Sequence, residues 1–200
     1  MFEYGMTLVA EMNSDAQQIA VGLRQGNLAL LDALVLRYQY RLVRYLIYLL
    51  GRRDGVDDLV QETWLRVLER GSSYDGRSRF EPWLFTIARN LAIDHMRKRR
   101  IFSLDSNDDE EKEGVRPLPA SDAPSPFALA ARTEDAEALA HSLQTLEPSY
   151  REALVLRFQE DLSLQEISAI VGAPVSTVSS RIYRGLAVLR SQFKGGSHGI

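Results

Sequence analysis

The chain has 200 residues, 45% of them hydrophobic, which is enough apolar material for one large or two small packed domains. It contains no cysteine and only three scattered histidines, so we expect no disulfide, no metal site and no cofactor. The N-terminal stretch lacks the basic flank and long apolar run of a signal peptide, and the longest apolar run, 45–50, is too short to span a bilayer. These features predict a globular cytoplasmic protein without membrane insertion.

The formal net charge of −3 conceals an uneven distribution along the chain. Residues 1–100 hold 15 Lys and Arg against 12 Asp and Glu, residues 101–147 hold 3 against 11, and residues 148–200 hold 6 against 4. Two mildly basic ends therefore flank an acidic middle. Each end can bind a polyanion locally, although the whole chain is acidic.

Helical spacing of apolar residues organises the N-terminal half after a loose tail over 1–15. It predicts helices over 29–50, from about 54 to 70, and over 80–100. Gly51 and Gly71 are suitable stops, and Pro82 suits a first helical turn. Tyr38 and Tyr45 of the first helix lie on its apolar stripe and are predicted to be core residues rather than ligand contacts. The outer face of the second helix is acidic with Leu65 at its centre, which is typical of a solvated face or of a docking surface.

The loop over 71–79 and the helix after it combine aromatic, amide and basic side chains. The loop is either a plain connection or a pocket for an unstacked base, for which Tyr74 and Arg77 are suitable groups. One face of the third helix carries Trp83, Asn90 and a basic end, which can stack on bases, bond base edges and pair with phosphates. An ordinary amphipathic helix with cations favoured at its C-terminus has the same pattern.

The composition changes after Arg100. Residues 101–126 are acidic and rich in proline, which predicts a flexible linker that either stays solvated or lies against basic surfaces. Helices are then predicted over 127–146 and from 148 onward. Ser163 and Glu166 form a capping box, Gly172 ends that helix, and Ser176 is the predicted N-cap of the next. Two helices joined by such a turn indicate a helix-turn-helix, or else a plain helical hairpin.

Taken together, the chain resembles the extracytoplasmic-function sigma factors of bacterial RNA polymerase, in the sigma-70 family. The resemblance rests on DLVQETWLRV, on WLFTIARNLAIDHMR and on the C-terminal helix-turn-helix, in this order and spacing, and covers most of 28–100 and 127–192. It implies an all-α fold of two small helical domains, a domain-2 bundle over 16–100 and a domain-4 helix-turn-helix over 127–194. The acidic linker over 101–126 joins them, and 195–200 form a tail.

The resemblance also implies roles for particular residues. The residues that would dock on the clamp coiled coil of the polymerase β′ subunit are Asp57, Asp58, Gln61, Glu62 and Leu65. Those that would contact the minus-ten promoter element are Tyr74, Asp75, Arg77, Phe80, Trp83, Arg89, Asn90, Asp94, Arg97, Lys98 and Arg100. Those that would contact the minus-thirty-five element are Ser176, Thr177, Ser179, Ser180, Arg181, Tyr183 and Arg184.

The implied partners are core RNA polymerase, through its β′ clamp and its β flap, promoter DNA and an anti-sigma factor, with no small-molecule substrate. Two other classes of function compete with this interpretation. A regulator that binds an operator through the helix-turn-helix would leave 57–100 without a role. An enzyme is set aside because the phosphate-loop, metalloprotease and nucleophile-elbow motifs and a cysteine nucleophile are all missing from the sequence.

Overall fold

The computed structural model describes residues 15–105 and 139–195, with side chains placed within 15–100 and 139–192. These ranges contain helices and no strand, so the all-α prediction is confirmed. In chain order the elements are α1 (15–24), α2 (Leu28–Leu50), α3 (Val56–Arg70), a 3-10 turn (Gly71–Ser73), α4 (Phe80–Asp105), α5 (139–144), α6 (Pro148–Leu154), a π-helical turn (Val155–Gln159), α7 (Leu164–Val171) and α8 (Val175–Gly195). We call α1–α4 the N-terminal domain and α5–α8 the C-terminal domain. Most of the predicted linker, the first part of the 127–146 helix and the chain ends lie outside the described residues.

Helix ends in the N-terminal domain follow from local chemistry. Asn27 caps α2, because its Oδ1 accepts a hydrogen bond from the Leu30 N–H at 3.1 Å. Gly51 ends α2 in the left-handed conformation, as predicted. Helix α4 continues to Asp105, beyond the predicted end at Arg100, since no glycine or proline interrupts the intervening residues. Helix α1 was not predicted, and its buried residues complete the bundle.

The core of the N-terminal domain joins the apolar stripes of α2, α3 and α4. Tyr38 and Tyr45 are almost fully buried, which confirms the prediction that these two aromatic residues belong to the core. Phe85 packs edge-on against Tyr45 with the ring centroids 5.1 Å apart. The predicted inner face of α3 is likewise buried, with Trp64 and Val67 among its members. The outer faces of α3 and α4 are thereby directed away from the core.

The C-terminal domain contains the predicted helix-turn-helix. Both hydrogen bonds of the capping box between Ser163 and Glu166 are present, and Gly172 ends α7 in the left-handed conformation. Helix α8 begins at Val175, one residue before the predicted cap. The Val178 N–H donates to the Pro174 carbonyl at 3.0 Å, so the first helical turn already encloses Ser176. The prediction of Ser176 as N-cap was therefore wrong.

The two domains pack against each other. Helix α4 contacts α7, and α2 contacts α6 and the π-helical turn. The buried hydrophobic residues of both domains form one connected cluster. None of the helices in the described ranges is long and apolar enough to cross a membrane. The sequence predicts two domains, but their packing depends on contacts between residues far apart in the chain, such as Arg89 with Glu152 and Arg41 with Glu160.

Candidate nucleic-acid and polymerase interfaces

The outer face of α3 is open to solvent. Asp57, Asp58, Gln61 and Leu65 are exposed, and Leu65 has 47% of its surface accessible. Glu62 is half-buried and accepts a hydrogen bond from Arg66 Nε at 2.9 Å. Two acids in the first turn of α3 are favourable there, because they face the positive end of the helix dipole. The five residues assigned to polymerase docking by resemblance thus share one accessible face.

A groove of about 410 Å³ runs between α3 and α2 beside this face. Leu65, Leu68 and Trp64 line it from α3, and Val35 and Val43 line it from α2. The Trp64 indole Nε1 is buried and has no hydrogen-bond partner. A buried donor that lacks an acceptor is costly to the fold. Sequence periodicity placed Trp64 on the inner face of α3 but gave no sign of the groove.

The loop over 71–79 is anchored by its aromatic residues. Tyr74 has only 2% of its surface exposed, and its hydroxyl donates to the Ser78 carbonyl. The rings of Tyr74, Phe80 and Trp83 form a cluster with centroids 5.3–5.6 Å apart. Burial, followed by the nearby charges of Glu81 and Asp75, raises the pKa of the Tyr74 hydroxyl, which stays neutral. Tyr74 and Phe80 therefore hold the loop, and in this conformation neither offers a free ring face to a base.

Two polar residues of the loop do face solvent. Asp75 and Arg77 are exposed, and the Asp75 carboxylate accepts the Arg77 backbone N–H at 2.9 Å. This hydrogen bond is typical of a tight turn closed by an aspartate side chain. The loop thus presents a carboxylate, a guanidinium and backbone groups above the buried aromatic cluster. It can contact a nucleotide through these groups.

Gly76 in this loop is expected to be intolerant of a side chain. Its φ is +71°, and an added Cβ would lie 2.9 Å from Ala20 Cβ and 3.0 Å from the Ala16 carbonyl oxygen. Gly76→Ala should lower the free energy of unfolding by about 2 kcal/mol or more, because backbone strain and overpacking add. Gly26→Ala is the matched control, since Gly26 also has a positive φ of +63° but has no atom within 4 Å of the added Cβ, and it should cost only about 1 kcal/mol. Urea unfolding measures both, and equal losses would show that the α1 contact does not constrain the loop.

The exposed face of α4 contains most of the remaining residues assigned to minus-ten recognition. Asn90, Asp94, Arg97, Lys98 and Arg100 are exposed, and Trp83 is half-buried at the start of the same face. Arg97 pairs with Asp94 at 3.0 Å across one helical turn, a surface pair that contributes little to stability. These side chains remain available to DNA, and their contact with a promoter stays a prediction.

Arg89 differs from the other residues assigned to this face. Its Nε donates to Glu152 Oε1 of the C-terminal domain at 2.7 Å, and only 20% of the side chain is exposed. In this arrangement Arg89 is engaged by a carboxylate and is not free for DNA. The resemblance alone gave no indication of that pairing.

The start of α8 presents the residues assigned to minus-thirty-five recognition. Ser176, Ser180, Tyr183 and Arg184 are exposed, whereas Thr177, Ser179 and Arg181 are half-buried. A cleft of about 440 Å³ separates Arg181 and Arg184 from Glu147, Ser149 and Tyr150 at the start of α6. Hydroxyl groups and guanidinium groups on one exposed helix face can bond both base edges and phosphates in a major groove.

Several ion pairs join the two domains, and sequence reasoning missed all of them. Glu160 binds Arg41 at 2.7 Å and Arg44 at 3.4 Å, although more than a hundred residues separate it from both. The Tyr45 hydroxyl donates to Glu152 at 3.0 Å, and burial followed by that carboxylate raises the pKa of Tyr45. A clue was present in Glu152, the single acid among the apolar residues of the helix predicted from 148 onward. Within the described residues, no cluster of His, Asp and Glu could hold a metal ion.

Comparison with known proteins follows the same division into two domains. The model of sigma-70 region 2 matches residues 34–101, and that of sigma-70 region 4 matches residues 136–189. The extracytoplasmic-function (ECF) sigma factor SigW of Bacillus subtilis is 31% identical over 162 residues, which cover 78% of this chain and 85% of SigW. The sigma-H factor of Pseudomonas aeruginosa is 31% identical over 172 residues, which cover 84% of this chain and 88% of the relative.

Two solved structures superpose on most of this chain. The sigma factor RpoE, in complex with the anti-sigma factor NepR from Bartonella quintana, superposes with a TM-score of 0.68 at 28% identity and covers 82% of this chain and 96% of its own. CnrH, in complex with the cytosolic domain of CnrY, gives a TM-score of 0.62 at 25% identity, covering 90% and 98%. The two matched regions, the identity and the coverage show that this chain belongs to the ECF sigma factors of the sigma-70 family.

Proposed function

We propose that this chain uses the outer face of α3, with the α2–α3 groove, to dock on the β′ clamp of core RNA polymerase, and its C-terminal domain to contact the β flap. The exposed face of α4 and the 71–79 loop then meet the minus-ten element, and α8 meets the minus-thirty-five element. The observation that carries the proposal is that three accessible faces of the family-matched helices coexist on one chain. Three such faces suit three different partner surfaces, and a promoter-specificity subunit needs one surface for polymerase and one for each of the two promoter elements.

The proposed chemistry is capture of an opened strand. Melting costs stacking and pairing energy, and the exposed groups of the 71–79 loop and of α4 offset part of it by holding a base and its phosphates. The small excess of basic over acidic residues in 1–100 offers little counterion release, so polymerase must supply the larger share. The isolated chain should accordingly bind duplex promoter weakly.

An anti-sigma factor is proposed as the inhibitor. The proposal is supported by RpoE, whose solved structure contains the anti-sigma factor NepR and which superposes on most of this chain. Such a partner would have to cover at least one of the three faces described above.

Transcription in vitro from a randomised promoter library tests the function. With core polymerase, the wild-type chain should initiate on a two-part consensus. Asn90→Ala should relax the downstream part and Arg181→Ala the upstream part, each lowering discrimination at the affected position by about 1–3 kcal/mol, as expected for loss of a base contact. Arg190→Ala is the control for Arg181, because Arg190 is an exposed arginine on α8 outside the assigned set.

The opposite result would favour the competing class of protein. If the wild-type chain failed to initiate with polymerase but bound a duplex operator tightly by itself, the helix-turn-helix would be that of a regulator. The N-terminal faces would then need another role.

A further inference from the structure

Two carboxylates of the C-terminal domain are buried against arginines of the N-terminal domain. The Glu160 side chain is fully inaccessible and pairs with Arg41 at 2.7 Å and Arg44 at 3.4 Å. The Glu152 side chain is 6% exposed and pairs with Arg89 at 2.7 Å. Among the described residues, the side-chain partners of both acids come from the other domain. Burial of such charges is costly unless they are paired, and the pairing of both acids crosses the interface between the domains.

The backbone places Glu160 for this contact. The π-helical turn Val155–Gln159 replaces the last turn of the predicted helix, and the Glu160 N–H donates to the Val155 carbonyl at 3.2 Å. Short π-helical turns are rare in proteins, and many of those that do occur lie at functional sites. The turn also exposes Phe158, which has 62% of its surface accessible, while Glu160 points into the interface. An unbroken α-helix would direct these side chains differently.

The arginines covered in this way form a surface with features of a nucleic-acid site. Arg41 lies over the Tyr38 and Phe85 rings at 5.2 and 5.8 Å, and Arg44 lies over Tyr40 at 5.6 Å. Arg89 and Arg79 extend the surface across the start of α4, and Arg79 contacts Glu166 of the C-terminal domain at 3.8 Å. Guanidinium groups stacked on aromatic rings bind carboxylates and phosphates with similar geometry.

Removing the C-terminal domain would take away Glu152, Glu160 and Glu166, and the arginines would then outnumber the carboxylates near them. Among the described residues of the N-terminal domain, Glu81 then remains within ion-pair distance, at 3.7 Å from Arg41 and 3.5 Å from Arg79. We propose that Arg41, Arg44 and Arg89 form a DNA-backbone-binding surface of the N-terminal domain, which Glu152 and Glu160 cover in the closed chain in place of phosphates. The inference rests on the proposed function, because that function supplies DNA as the polyanion. It adds Arg41 and Arg44 on α2, which the family resemblance does not assign.

The test opens the chain without removing any arginine. Glu152→Gln combined with Glu160→Gln keeps the shape of both side chains and removes their charges. Because the chain has no cysteine, Ser72→Cys and Ala187→Cys, both at exposed positions on different domains, accept a fluorescent donor and acceptor without background labelling. The double variant should lose energy transfer, and it should bind a fluorescent single-stranded DNA of about 20 nucleotides at moderate salt roughly tenfold more tightly than wild type.

Two further variants separate the interpretations. Asp32→Asn combined with Glu69→Gln makes the same change in net charge at exposed positions and should leave both energy transfer and DNA affinity unchanged. Arg44→Gln in the opened double variant should remove much of the gained affinity and reduce the salt dependence of binding by about one phosphate contact. Opening without a gain in DNA affinity, or no opening at all, would overturn the proposal.

The test of the arginine surface can fail without the proposed function failing, and the reverse is also true. If polymerase-dependent transcription proceeds while the opened chain gains no affinity for DNA, the arginine surface is wrong and the proposed function stands. If wild type does not transcribe with polymerase, the proposed function fails, whatever the arginines bind.

Discussion

Leu65→Arg is expected to reduce polymerase-dependent transcription by about a hundredfold or more without unfolding the chain. Leu65 lies at the centre of the α3 face and lines the groove between α2 and α3. A leucine that fills a partner pocket typically contributes 2 kcal/mol or more to binding, and a charge introduced there adds a desolvation cost of about the same size. Native gels of the chain with core polymerase measure the loss directly, and transcription assays should show the same loss.

The control for Leu65→Arg must replace a residue that is as apolar as Leu65 and at least as exposed. Leu36 on α2 has 86% of its surface accessible and does not line the groove. Leu36→Arg should leave polymerase binding within about twofold, because a surface substitution outside an interface changes little. Both variants should retain the helical circular dichroism and unfolding midpoint of wild type. Normal polymerase binding by Leu65→Arg would place the docking surface elsewhere.

Local chemistry explains why the helices themselves could be predicted from the sequence. The stripes of α2, α3 and α4 repeat at three and four residues, and Gly51, Gly172 and the Ser163 capping box act within one turn of the chain. Helix α1 has a weaker signal, because its buried members Ala16, Ile19 and Ala20 are few and mostly small. Its position depends on packing against the 71–79 loop, where Gly76 meets Ala16 and Ala20.

Long-range contacts explain what the sequence left open about the candidate site. Tyr74 has the composition of a stacking residue, but its ring completes a cluster with Phe80 and Trp83 that only the folded loop creates. Arg89 has the position of a DNA contact in the family pattern, but its guanidinium group donates a hydrogen bond to Glu152, which lies 63 residues later in the chain. Helical periodicity relates residues three or four positions apart, so it could predict neither the Tyr74 ring cluster nor the pairing of Arg89 with Glu152. Exposure of Asn90 and Arg97, by contrast, follows directly from the apolar stripe on the opposite side of α4.

Glu81→Gln is expected to destabilise the N-terminal domain by about 3 kcal/mol at neutral pH, which is the lower end of the cost of breaking a buried ion pair. The Glu81 side chain is 9% exposed, accepts the Tyr38 hydroxyl at 3.0 Å and lies 3.5 Å from Arg79 and 3.7 Å from Arg41. Glutamine retains the shape and a hydrogen bond but removes the charge. Arg41 and Arg79 retain Glu160 and Glu166 as partners, which keeps the cost from being larger.

The pH dependence of this loss has a defined sign. Burial by itself raises the pKa of the Glu81 carboxyl, but its own backbone N–H, Arg79, the Tyr38 hydroxyl and Arg41 together lower the pKa below the ordinary value of 4.5. A folded-state pKa below the unfolded one stabilises the fold above the unfolded pKa, and this stabilisation is lost as the pH falls through the folded value. Wild type should therefore lose stability in acid more steeply than Glu81→Gln, and the two should converge once the pH has fallen below the folded-state pKa of Glu81.

Urea unfolding followed by tryptophan fluorescence suits this measurement, because both tryptophans, Trp64 and Trp83, lie in the N-terminal domain. Glu69→Gln is the control, since Glu69 is exposed and pairs with Arg66 on its own helix, and it should stay within about 0.5 kcal/mol of wild type at every pH. Equal acid slopes for wild type and Glu81→Gln would show that the charge of Glu81 does not stabilise the fold. A steeper wild-type slope would show that the charge of Glu81, a buried acid in the first turn of α4, stabilises the fold.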